Sequence, residues 1–196
     1  MAATYDLGRL RHDLAADIDA YLLFAGTYGD TGSLLGQRFS ALLTPSVTAC
    51  FLYRVSHWLY AKKWGRLAFA MAWCNCLVTR ASICPASEIG GGLYIPHPVC
   101  VVFQGHAGRN LRLFSGAGAT EVPPTPLHRH PLRGFPTLGD DVMLGSKALV
   151  TGPVRVGSGC RIGINAVVRR DVPAGASVLA VRRRSPIRQQ ARSRQA

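Results

Sequence analysis

The chain has 196 residues, 48% of them hydrophobic, and a formal net charge of +13 at pH 7. This size and composition suit one or two small units with ample core. They exclude a bilayer span at residues 67–79, because about 20 apolar residues are needed to cross, and residues 1–10 lack the apolar core of a secretion signal. The chain therefore reads as cytoplasmic, with no membrane partner, and its six cysteines read as small buried hydrophobes rather than disulfides. Cys74 and Cys76 are closer together than ordinary zinc ligands.

Residues 13–23 carry apolar side chains at helical spacing, and a glycine-rich break covers residues 26–36. Thr44-Pro45 reads as an N-cap followed by proline at the first helical position, opening an amphipathic helix to about Lys62. Gly65 separates it from a further helix over about residues 66–80. Residues 1–82 are thus expected to form an α-helical cap.

Beyond it the period changes. Leu138, Leu144, Val150, Val156, Ile162 and Val168 recur every six residues, with Val142, Ala148, Val154, Cys160, Ala166 and Val172 four places after each. Neither a helix nor a lone strand demands six. A coil of three short flat strands does, with one side chain per strand pointing to a narrow axis and Gly139, Gly145, Gly157 and Gly163 turning corners. Ile83, Ile89, Ile95, Val101, Ala107 and Leu113 form an earlier run of the same period. The two runs are out of phase, so something is inserted between them. The proline-rich stretch 116–136, with His128, Arg129 and His130, reads as that excursion. The expected organisation is a cap over residues 1–82, a coil over 83–180 with a loop at 114–137, and a basic tail over 181–196.

The positive charge is nearly all arginine, since Lys62, Lys63 and Lys147 are the only lysines. Arg182, Arg183, Arg184, Arg188, Arg192 and Arg194 crowd the end of the chain. Such a run reads as a solvated tail or as a clamp for the phosphates of a small polyanion. Nucleic acid is not expected, because no recognition helix, stacking motif or zinc module accompanies the charge.

These hexads resemble the left-handed parallel β-helix of the hexapeptide-repeat acyltransferases, and the order of parts resembles the serine O-acetyltransferases. The matching pieces are Tyr53-Arg54-Val55-Ser56-His57-Trp58-Leu59, Ile83-Cys84-Pro85-Ala86-Ser87-Glu88-Ile89-Gly90, Ile95-Pro96-His97-Pro98, Arg129-His130-Pro131 and the closing segment 165–173. The resemblance implies an α+β chain: an α-helical cap, then a left-handed parallel β-helix with an extended loop. It also implies acetyl transfer from acetyl-CoA to a hydroxyl of serine or a related small acceptor, with no metal cofactor. His97 falls at the place of the general base, and histidine is the side chain that titrates nearest neutral pH. The resemblance further places His130, Arg129, Glu121 and Asp30 at the acceptor. Lys147, Ala148, Ala166, Arg182 and Arg183 fall on acetyl-CoA, which lies between the coils of a homotrimer or of a dimer of trimers.

Two positions depart from the pattern. Ser82 stands where the family has the Asp that orients the base, and Pro96 where it has an acidic residue. Other readings stay open beside acetyl transfer to serine: a catalytically silent coil used for assembly, transfer involving a substrate on an acidic carrier protein, and a zinc hydratase-like site drawing on His97, His106 and His128 or His130.

Overall fold

The computed structural model describes residues 5–25, 41, 43–121 and 134–180. Asp30, His128, Arg129, His130, Arg182 and Arg183, expected above at the site, lie outside the described residues. Among those described, three helices precede a coil of thirteen short strands.

The helices are α1 (Leu7–Ala25), α2 (Pro45–Ala61) and α3 (Gly65–Thr79). Thr44 caps α2: its Oγ1 accepts the Val47 N–H at 3.4 Å, and Pro45 supplies a φ already suited to a first turn. Arg80 ends α3 in the left-handed conformation at φ 66°, its N–H donating to the Cys76 carbonyl, and the chain enters the coil at the next residue.

Three parallel sheets make the walls of the coil. Sheet 1 stacks β1 (Ala81–Ile83), β3 (Val101–Phe103), β6 (Gly118–Thr120), β9 (Leu149–Thr151) and β12 (Val167–Val168). Sheet 2 stacks β2 (Glu88–Ile89), β4 (His106–Ala107), β7 (Thr137–Leu138) and β10 (Arg155–Val156). Sheet 3 stacks β5 (Arg112–Leu113), β8 (Met143–Leu144), β11 (Arg161–Ile162) and β13 (Ser177–Val178). The chain passes from wall to wall in the order 1, 2, 3, so each rung lies over its predecessor and hydrogen-bonds to it. Ile83, Phe103, Ala119, Val150 and Val168 share one interior row, and Leu113, Leu144 and Ile162 another; all are buried. Glycine is needed where coils touch at the corner between sheets 2 and 3. A Cβ on Gly108 would stand 2.8 Å from the Asp140 nitrogen, and one on Gly157 would stand 2.4 Å from that of Ala174.

The register corrects the upstream hexad run. Ile83 pairs with Phe103, not Val101, which sits one interior row away opposite Ala81. Ile95 to Phe103 is therefore eight residues, where the same corner takes six between Leu113 and Ala119, Leu144 and Val150, or Ile162 and Val168. The next corner, Phe103 to Ala107, is short by two and restores the phase. Two opposite irregularities thus mimic an unbroken period. Ala117 and Ala119 are likewise coil interior, so the excursion begins only after Thr120. All six cysteines are free, but Cys74 and Cys100 are exposed rather than buried.

Candidate active site

The first rung of the coil is held from below by the cap. Arg54 is wholly buried and donates through Nε and Nη2 to the two carboxylate oxygens of Asp17, both at 2.9 Å. Its remaining donors reach the carbonyls of Ile89, at 2.5 Å, and Gly90, at 2.7 Å, and the carboxylate of Asp13, at 3.5 Å. Asp17 in turn accepts the backbone N–H groups of Gly92 at 2.9 Å and Leu93 at 2.7 Å. Tyr53 donates its hydroxyl to the Ser87 carbonyl at 2.9 Å, and His57 donates Nδ1–H to the Pro85 carbonyl at 2.9 Å. One helical turn of α2 therefore satisfies the carbonyls of residues 85, 87, 89 and 90, and Asp17 of α1 the N–H groups of 92 and 93, in a segment with no neighbouring rung below it. Burial pushes the His57 pKa below its ordinary 6.5, with the Pro85 bond partly opposing it. Burial works against the Arg54 charge, but Asp17 more than compensates, so the guanidinium stays ionised.

The pinned segment leads directly to the enlarged corner. Leu93 and Ile95 are buried, Tyr94 stacks on Phe24 of α1 at 4.8 Å, and the chain then turns outward through Pro96, His97 and Pro98. His97 is exposed at that bend, between a half-buried and a buried proline. Two prolines fix φ on either side of it and hold the backbone of the bend stiff. Cys100 closes the turn at φ 58°, its N–H donating to the Arg80 carbonyl.

The same corner continues up the coil as a hydrogen-bonded column. Gly116 donates to the Val99 carbonyl at 2.9 Å, Lys147 to Ser115 at 2.9 Å and Asn165 to Ser146 at 3.0 Å. Lys147 and Asn165 both adopt φ 58°. Lys147 is exposed two rungs above the His97 bend, about 10 Å at roughly 4.8 Å per rung. Ala148 and Ala166 lie on this column too, but their side chains are buried in the coil interior, leaving only backbone atoms to meet a ligand.

Other candidates stand apart. Glu121 is half-buried and follows β6, off the end of the sheet 1 strands opposite the His97 corner. His106 lies on sheet 2, its Nδ1 3.5 Å from the exposed Glu88 carboxylate, and β3 stands between it and His97. Among the described residues no three His, Cys, Asp or Glu side chains gather as a metal site. Ser82 is exposed on β1, in the outward row that continues through Val102. Open clefts of about 530 and 520 Å³ lie around Arg155 and Asp171 and around Arg169 and Arg170, away from the His97 bend. The part sequence reasoning missed is the Asp17–Arg54 clamp. Its signal was present in Asp17, an acidic residue at helical spacing among apolar ones, and in Arg54, a charge inside an apolar helix.

Three parallel walls and glycine corners define a hexapeptide-repeat coil protein, with a histidine exposed on one enlarged corner. Comparison with known proteins narrows this. No family model matches the chain. It is 33% identical over 140 residues to a serine acetyltransferase of Helicobacter pylori strain J99, a match covering 70% of this chain and 79% of that protein. It is 34% identical over 139 residues to the serine acetyltransferase of Mycobacterium tuberculosis, covering 70% of this chain but 58% of the relative's length. Among solved structures, soybean serine acetyltransferase complexed with serine superposes with a TM-score of 0.72 at 25% identity, covering 90% of this chain and 69% of that one. The chain belongs to the serine acetyltransferase family.

Proposed function

We propose that this protein transfers the acetyl group of acetyl-CoA to the side-chain hydroxyl of L-serine, with His97 as general base, in a homotrimer of left-handed coils. The observation that carries the reading is the His97 corner. It is the one corner of its column lengthened by two residues, it exposes its histidine, and the rung below it is clamped by Asp17 and Arg54. The serine bound to the soybean relative supports the acceptor.

In this mechanism His97 takes the serine hydroxyl proton as the oxygen attacks the thioester carbonyl, forming the new C–O bond. The C–S bond then breaks, and the departing CoA sulfur recovers the proton from the imidazolium. O-acetylserine and CoA leave, and His97 is neutral again. Lys147, Arg182 and Arg183 meet the coenzyme's phosphates, with backbone atoms at Ala148 and Ala166 beside it. Arg129, His130, Glu121 and Asp30 surround the acceptor.

His97 precedes β3 and Glu121 follows β6, so the two lie off opposite ends of the sheet 1 strands. The outward row of that sheet carries Val102, Gly118, Leu149 and Val167, with Val102 and Val167 exposed. An apolar wall of this kind favours a neighbour, and threefold closure sets one chain's His97 beside the next chain's excursion. A second reading, the catalytically silent coil, draws on Ser82 and Pro96 at the places where the resemblance puts carboxylates.

The test is CoA thiol release with acetyl-CoA and L-serine, with O-acetylserine identified by mass. Serine-dependent release is expected; its absence with all hydroxyl acceptors tried favours the silent coil. A solution mass of three times 21.1 kDa is expected separately, and a monomer that still turns over overturns only the shared site.

A further inference from the structure

Helix α3 is packed with its polarity reversed. Its inward side is Ala68, Asn75 and Thr79: the Asn75 amide donates to the Ala49 carbonyl at 3.0 Å, and the Thr79 hydroxyl lies 2.7 Å from the Asn75 side-chain oxygen. Its outward side presents Leu67, Phe69, Trp73, Leu77 and Val78, with Trp73 67% and Val78 69% exposed. A helix on a soluble surface normally turns its apolar stripe inward and its charges out. Here Arg66 is the single charged residue of the helix. A contiguous apolar face of this kind marks a contact surface.

The rim says what kind of contact. Lys62, Lys63 and Trp64 are exposed before the helix and Arg80 after it, and Tyr60 sets its ring against Phe69 at 6.3 Å. No Asp or Glu occurs between Asp30 and Glu88. A second copy laid on this face would set these cations against their own mates, with no carboxylate from α2 or α3 to balance them, and like charges in a contact are costly. An anionic surface balances them. Tryptophan and tyrosine beside lysine and arginine, around an apolar strip, is the composition the lipid headgroup region favours.

We propose that the outward face of α3 docks this protein peripherally on an anionic phospholipid bilayer. Phe69, Trp73 and Leu77 enter the interface, and Lys62, Lys63, Arg66 and Arg80 meet lipid phosphates. The helix, about 22 Å long at 1.5 Å per residue, lies along the surface. No described helix is long and apolar enough to cross a membrane.

The test is flotation of the full chain with vesicles of phosphatidylglycerol and phosphatidylcholine, and with phosphatidylcholine alone, while tryptophan emission is read. Binding to the anionic vesicles only, with a blue shift, is expected. The double variant Trp73→Gln with Leu77→Gln is expected to bind at least tenfold more weakly, to lose most of the shift, and to keep the wild-type mass in solution. Lys62→Gln with Lys63→Gln should weaken binding most at low salt. Three results would overturn the proposal. Wild type could stay off both vesicles. The Trp73/Leu77 variant could bind as well as wild type, which would assign binding to the arginines after residue 180. That variant could also fall to a smaller assembly, which would give the face to a second copy.

Discussion

The corner between sheets 3 and 1 occurs on successive rungs in two forms. At residues 145–148 and 163–166 it is a four-residue turn whose third residue, Lys147 or Asn165, takes φ 58° and donates to the rung below. At residues 96–101 it is six residues long, sets a proline on each side of His97, and pushes that side chain outward. The ordinary form continues the coil without a break in its period. The enlarged form gives up one repeat's regularity to present a titratable side chain, and the cap supplies the rigidity that a missing lower rung would have given.

Replacing the enlarged corner with the four-residue form breaks this comparison most sharply. Substituting the six residues 96–101 with the four of 145–148 should leave a folded coil by circular dichroism but lower turnover by about 10²–10⁴-fold, the range for losing a general base. The clamp beneath comes next. Arg54→Met leaves Asp17 buried without its partner, so the unfolding free energy in urea should fall by about 3–5 kcal/mol, the usual cost of breaking a buried pair. A smaller loss is expected at the touching corners. Gly108→Ala forces a Cβ against the Asp140 backbone and should cost about 1–3 kcal/mol, as overpacking does.

The smallest effect is on pH dependence. Burial holds the His57 pKa below 6.5, so the unfolded chain takes up a proton at a pH where the folded chain does not. Stability from this group is complete above about pH 6.5 and is lost as pH falls through the depressed folded value. His57→Gln should flatten that part of the stability-against-pH curve, measured by thermal unfolding across the acid side of neutrality.

Much of this molecule is legible in its sequence. The downstream run from Leu138 to Val168 is buried as its period requires, because each rung there has an ordinary length. Thr44-Pro45 marks the start of α2 because capping is local chemistry. The upstream run misleads at Val101, because an insertion and a deletion of two residues cancel, and only the pairing of Ile83 with Phe103 reveals them. Ala117 and Ala119 read as part of the excursion because small residues give a weak periodic signal beside so many prolines. The clamp of Asp17 on the Gly92 and Leu93 backbone joins residues 75 and 76 positions apart, a contact no local pattern encodes. The corner position of His97 is legible through the segment around it; the extra length of that corner is not.

The most direct test of the account is His97→Ala, assayed for serine-dependent CoA release alongside acetyl-CoA binding by calorimetry and mass in solution. Turnover lower by about 10²–10⁴-fold is expected, with coenzyme affinity and mass unchanged, because an exposed corner side chain contributes chemistry and not packing. Full turnover in that variant would contradict it.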